Sequence, residues 1–123
     1  MDTPTAAGSA PSEKLEVTVV PGDPVVVRVA GRIMFDTLPT LAEALAGRPA
    51  ATHPRVVLDL SEVPLCDSSG LNLFVTQRSA RLAAGGWLRL AGVQPMVTTV
   101  LEITNLTRIL PAHPTAEAAI AAD

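Results

Sequence analysis

The sequence predicts an α/β domain: a mixed sheet of four to five strands with about four helices packed against it. Three observations predict it. Segments of period two and short β-branched runs alternate with segments whose apolar residues recur at i, i+3, i+4 and i+7, so strands alternate with helices. The first two strand segments are separated only by the turn Pro21-Gly22-Asp23-Pro24, which makes them an antiparallel hairpin. The later strands are reached through helices, and a helical crossover joins parallel neighbours. A chain of 123 residues suits one domain.

In chain order, residues 1–12 are rich in Ala, Pro, Ser, Thr and Gly and read as a disordered tail, which leaves 13–123 for the domain. Leu15, Val17 and Val19 alternate with Glu16 and Thr18, a half-buried strand. Residues 25–30 (VVVRVA) form the second strand, ended by Gly31. Thr37 is placed as the N-cap of a first helix, with Pro39 in its first turn and Leu38, Leu41, Ala42 and Leu45 on one apolar face. Residues 55–60 (RVVLDL) are apolar enough for a central strand covered on both faces. Leu71, Phe74, Val75, Arg78 and Leu82 mark a second helix, stopped by Gly85-Gly86, and residues 87–91 form the fourth strand. Pro95 opens a third helix with the stripe Met96, Val97, Val100 and Leu101, and Asn105 is suited to the left-handed position that closes it. Ile109-Leu110 reads as a short edge strand, and Thr115 caps a last helix through Ile120.

Hydrophobic residues make up 48% of the chain but aromatics only 2%, so the core must be built from Val, Leu, Ile and Ala. The net charge is −3, and the nine Lys and Arg are scattered, which argues against nucleic acid and anionic membranes as partners. A single cysteine precludes an internal disulfide and suits a reducing compartment. With no apolar signal segment and no stretch of membrane-spanning length, the expected location is the cytoplasm.

Catalysis finds little support. No serine sits in a Gly-x-Ser-x-Gly elbow, and both histidines, His53 and His113, stand beside prolines and read as surface loop residues. Asp59 and Asp67 lack the His or Cys neighbours a metal site needs, and Cys66 reads as a small buried hydrophobe. The expectation is a binding protein without metal or cofactor, not an enzyme.

The sharpest local feature is Cys66-Asp67-Ser68-Ser69-Gly70, between a buried strand and a helix. Asp67 or Ser68 serves there as an ordinary N-cap, or a serine is presented at the helix start for phosphorylation. Met34 and Phe35, beside Asp36, either pack on the first helix or form a docking patch.

Together the element order and this motif resemble the STAS domain of bacterial anti-sigma-factor antagonists, over residues 15–121. The most specific stretch is 56–71 (VVLDLSEVPLCDSSGL), supported by Gly85-Gly86 and by Pro95, Val97, Leu101 and Leu106. The resemblance implies a STAS fold and a partner switch. The antagonist binds an anti-sigma factor that is also a serine kinase, the kinase phosphorylates the first serine of the motif and abolishes binding, and a serine phosphatase resets it. By position that serine is Ser68, with Asp67, Ser69, Gly70, Met34, Phe35, Asp36 and Thr37 as partner-binding residues. The family usually reads Gly-Glu-Leu-Asp where this chain reads Gly31-Arg32-Ile33-Met34, and many members carry Gly at Asn72. Met34 in place of the acid is the feature that favours the alternative, an interaction module that is never phosphorylated.

Overall fold

The computed structural model describes residues 14–122; the tail expected at 1–12 lies outside them. Five strands, β1 (Glu16–Val20), β2 (Val25–Ala30), β3 (Arg55–Glu62), β4 (Trp87–Ala91) and β5 (Ala112–His113), form one sheet in the order β1-β2-β3-β4-β5. The hairpin is antiparallel, with Val17 opposite Val29 and Val19 opposite Val27. The other three pairs are parallel, as helical crossovers require. The connections are α1 (Leu38–Ala46), α2 (Ser68–Ala83) and α3 (Pro95–Ile103), with α4 (Ala116–Ala121) closing the chain.

Alternation along the strands sorts the apolar residues into two layers. Val25, Val27 and Val29 of β2, Val56, Leu58 and Leu60 of β3, and Leu88 and Leu90 of β4 share one core with Leu41, Leu45, Leu71, Phe74, Val97 and Leu101 of the first three helices. On the other face Val26, Val57 and Ala91 meet Ala119 of α4. The Thr115 hydroxyl accepts the Ala118 N–H as the expected cap, and Arg89 donates to the carbonyls of Ala119 and Ala122, which ties α4 to the sheet. Because β2, β3 and β4 are parallel, the loops before α1, α2 and α3 all open at the carboxyl edge of the sheet. No helix among the described residues is long and apolar enough to cross a membrane.

Several expectations are corrected. Ile109-Leu110 is not a strand: it follows a 3-10 turn (Leu106–Arg108), Leu110 drops into the core, and the edge strand forms at Ala112–His113. His113 is therefore a strand residue with a buried Nε2, not a surface loop residue. Met96 is 59% exposed, while Val97 and Leu101 carry the inward stripe of α3. Asn105 does adopt the left-handed conformation, at φ 63°.

The inward face of α2 changes most. Leu71 and Phe74 are buried, but Leu82 is 47% exposed and its neighbour Arg81 only 5%. Arg81 earns the inward place by hydrogen bonding: its guanidinium donates to the carbonyls of Ala50 and His53 and to Gln77 Oε1. It stitches the last turn of α2 to the 3-10 turn Ala50–Thr52 that precedes β3. The Ala50 and His53 carbonyls gain a charged donor that an aliphatic side chain would not supply, while Arg81 Nε is left without a partner among the described residues.

Candidate functional site

Pairing between the second and third strands continues past their ends. The Gly31 N–H donates to Glu62 O at 2.9 Å, the Ile33 N–H to Leu65 O at 3.0 Å, and the Asp67 N–H to Ile33 O at 3.0 Å. Ile33 and Cys66 form a parallel bridge. The loop before α1 is thus zipped to the loop before α2, and the segments carrying Phe35 and Asp67 meet although they lie far apart in sequence.

Asp67 is the hub of this arrangement. Its extended backbone (φ −93°, ψ −176°) makes it the N-cap of α2, and its own carbonyl accepts the Leu71 N–H. Oδ1 accepts from the N–H groups of Ser69 (3.0 Å) and Gly70 (3.2 Å) and from Ser69 Oγ (2.6 Å). Oδ2 accepts the Phe35 N–H at 2.9 Å. Desolvation raises the Asp67 pKa, but the hydrogen bonds from Ser69, Gly70 and Phe35 outweigh it and hold the carboxyl below its ordinary value. The group is an anion at neutral pH.

This capping separates the two serines. Ser69 Oγ is committed to Asp67. Ser68, the first residue of α2, is exposed, and its hydroxyl makes no hydrogen bond to any described residue. A modifying enzyme can reach Ser68 without breaking an internal bond.

The remaining candidates divide. Phe35 is 79% exposed and Asp36 is exposed beside it. Met34 is half-buried, its N–H donating to Thr37 Oγ1 at 2.9 Å. Thr37 is the N-cap residue of α1, as expected, but its side chain makes no capping bond: it is buried, and its hydroxyl donates back to Arg32 O at 2.7 Å. It braces the loop that presents Phe35. Gly70 is also buried, beneath the surface that Ser68 and Phe35 present. A Cβ there would stand 2.5 Å from Cys66 Sγ and 2.7 Å from Ile33 Cγ2. Gly70→Ala should therefore cost about 2 kcal/mol through overpacking, a fall of roughly 8 °C in Tm; an unchanged thermal melt would refute the close approach.

Cys66 is the buried hydrophobe expected. Desolvation, and secondarily the Asp67 charge, pushes its thiol up to about 12. Iodoacetamide should leave it unmodified at neutral pH in the folded protein and label it in denaturant. Labelling at equal rates in both conditions would show that the thiol is open.

The motif offers Ser68 and Asp67 as candidates, but sequence reasoning missed the Asp67–Phe35 bond, because no local signal relates residues 32 apart.

The profile of the STAS domain family matches residues 14–119. No curated protein sequence matches the chain. Among solved structures, an anti-sigma factor antagonist from Mycobacterium paratuberculosis superposes with a TM-score of 0.78 at 28% identity, covering 91% of this chain and 95% of that one. The anti-sigma factor antagonist SpoIIAA in its unphosphorylated form gives 0.72 at 19% identity, over 85% and 93% of the two chains. The Bacillus cell fate determinant SpoIIAA in its phosphorylated form gives 0.65 at 18% identity, over 85% and 96%. With the sheet order, the helix layers and the match along nearly the whole described chain in agreement, this protein belongs to the STAS domain family.

Proposed function

We propose that this chain is an anti-sigma-factor antagonist. It binds an anti-sigma factor that is also a serine kinase, and phosphorylation of Ser68 switches the binding off. A serine phosphatase restores the binding form, so transcription is regulated indirectly, in the cytoplasm, by protein binding and not by catalysis. The observation that carries the reading is the division of labour at the start of α2: Ser68 is exposed, with no hydrogen bond to its hydroxyl among the described residues, while Ser69 is tied to Asp67. Similarity to an anti-sigma factor antagonist at 28% identity supports the partner class. A protein of the same fold solved with and without phosphate supports the mode of control.

Mass mapping after incubation with the cognate kinase and ATP tests it: phosphate is expected on Ser68 alone. Phosphate on Ser69, or none on the motif, would overturn the assignment. A second reading, an interaction module that is never phosphorylated, is favoured by Met34 standing where the family resemblance leads one to expect an acid. A complex that ATP fails to dissociate would select it.

A further inference from the structure

We infer that Phe35 is the apolar anchor by which this protein grips its partner, and that Asp67 is the positioning residue that holds it there. The inference rests on the partner-switch reading and deepens it.

In the parallel ladder that continues past β2 and β3, the next rung after Asp67 N–H to Ile33 O would run from the Phe35 N–H to the Asp67 carbonyl. That carbonyl already has two donors: it accepts the Leu71 N–H as the first bond of α2 and the Cys66 thiol at 3.5 Å. The Asp67 side chain supplies the missing acceptor through Oδ2. One carboxylate therefore starts the helix that carries Ser68 and finishes the ladder that carries Phe35. From the other side Thr37 closes the loop, its hydroxyl bonded to Arg32 O and to the Met34 N–H.

The result is a pinned backbone under an unpinned side chain. Phe35 is one of only two Phe in the chain, and its ring is 79% exposed. The other, Phe74, is fully buried. A large exposed aromatic on a preorganised backbone loses little further freedom when it enters a pocket. Aromatic residues, Phe among them, are enriched in the cores of protein interfaces. The occupant is the protein released when Ser68 is phosphorylated, because the carboxylate that seats Phe35 also caps the turn bearing Ser68. Its contact surface should offer an apolar cleft for the ring, with a neutral or basic wall facing Asp36 and Asp67.

Asp67→Asn tests this cleanly. Asn is as good an N-cap as Asp, so its carbonyl oxygen keeps the cap on Ser69 and Gly70. Its amide nitrogen stands in for Oδ2 and cannot accept the Phe35 N–H. The first arm uses the isolated protein: amide hydrogen exchange at Phe35 should speed up in Asp67→Asn while Tm and exchange within α2 stay near wild type. The second arm uses the anti-sigma factor recovered with wild-type protein from its own cytosol. Phe35→Ala should weaken binding about 30-fold and Asp67→Asn about fivefold, and in the Phe35→Ala background Asp67→Asn should add less than about twofold. Full additivity would show that Asp67 does not act through Phe35. Unchanged binding by Phe35→Ala would remove the anchor and leave the Ser68 switch standing. If wild type captures no protein in a Ser68-dependent way, the partner-switch reading fails, while the exchange arm still decides whether Asp67 holds the loop.

Discussion

Ser68→Asp should weaken binding to the anti-sigma factor roughly tenfold or more and leave the melting temperature unchanged. The two halves of this result come from one location. Ser68 is exposed at the start of α2 and its hydroxyl bonds to nothing within the described chain, so the fold does not depend on it. Added negative charge there also lies at the favourable end of the helix dipole. Within a protein interface the same charge must be stripped of water. An unpaired buried charge costs on the order of 2–5 kcal/mol, which is roughly 30- to several-thousand-fold in affinity. Phosphoserine carries about −1.5 to −2 charges and aspartate one, so the mimic belongs at or below the low end of that range. Ser68→Ala removes only an unused hydroxyl and should bind without regulation. Calorimetric titration of both variants beside thermal melts checks this. Equal affinity of Ser68→Asp and wild type would dismiss charge as the switch, and a large fall in the Tm of Ser68→Asp would reveal an internal role for Ser68.

Gly86→Ala should lower the melting temperature by roughly 12 °C or more, while Gly85→Ala should lower it by roughly 4 °C. The two glycines are adjacent, yet they are required for different reasons. Together they close α2, with the Gly86 N–H on Arg81 O at 2.8 Å and the Gly85 N–H on Leu82 O at 3.0 Å. Gly85 is left-handed at φ +83° with open space around it, so a methyl group adds only backbone strain of about 1 kcal/mol. At Gly86 a Cβ would stand 2.0 Å from the carbonyl oxygen of Pro54. That oxygen accepts the Trp87 N–H where the β3–β4 register begins, with Arg55 opposite Trp87. Backbone cannot swing aside as a flexible side chain can, so the two central strands must separate at that end. The cost is about 3 kcal/mol or more. Equal falls in the two variants would refute the distinction.

The class, the order of elements and the hairpin were legible in the sequence, because they rest on periodicity and on turn chemistry at the residues themselves. Asn105 at its left-handed position, Thr115 as a cap and Gly85-Gly86 as a helix stop are local in the same sense. The Cys66–Gly70 motif was legible too, but its two serines were separable only by family resemblance. The structure separates them physically, through the bond from Ser69 Oγ to Asp67.

What tertiary structure alone decided lies where segments distant in sequence compete for the same hydrogen bonds or the same space. Helical periodicity favours Leu82 for the core, but the carbonyls of Ala50 and His53 draw Arg81 inward instead. Thr37 holds the cap position of α1, but the Arg32 carbonyl and the Met34 N–H claim the hydroxyl that would have capped the helix. Gly70 reads as part of a surface motif until Ile33 and Cys66 close over it. Phe35 is a candidate from the resemblance, but its tie to the start of α2 exists only in the fold, where the Asp67 carboxylate accepts its N–H. Period and propensity describe a residue's sequence neighbours; which donor meets which acceptor across the carboxyl edge of the sheet is set when β2 and β3 pair.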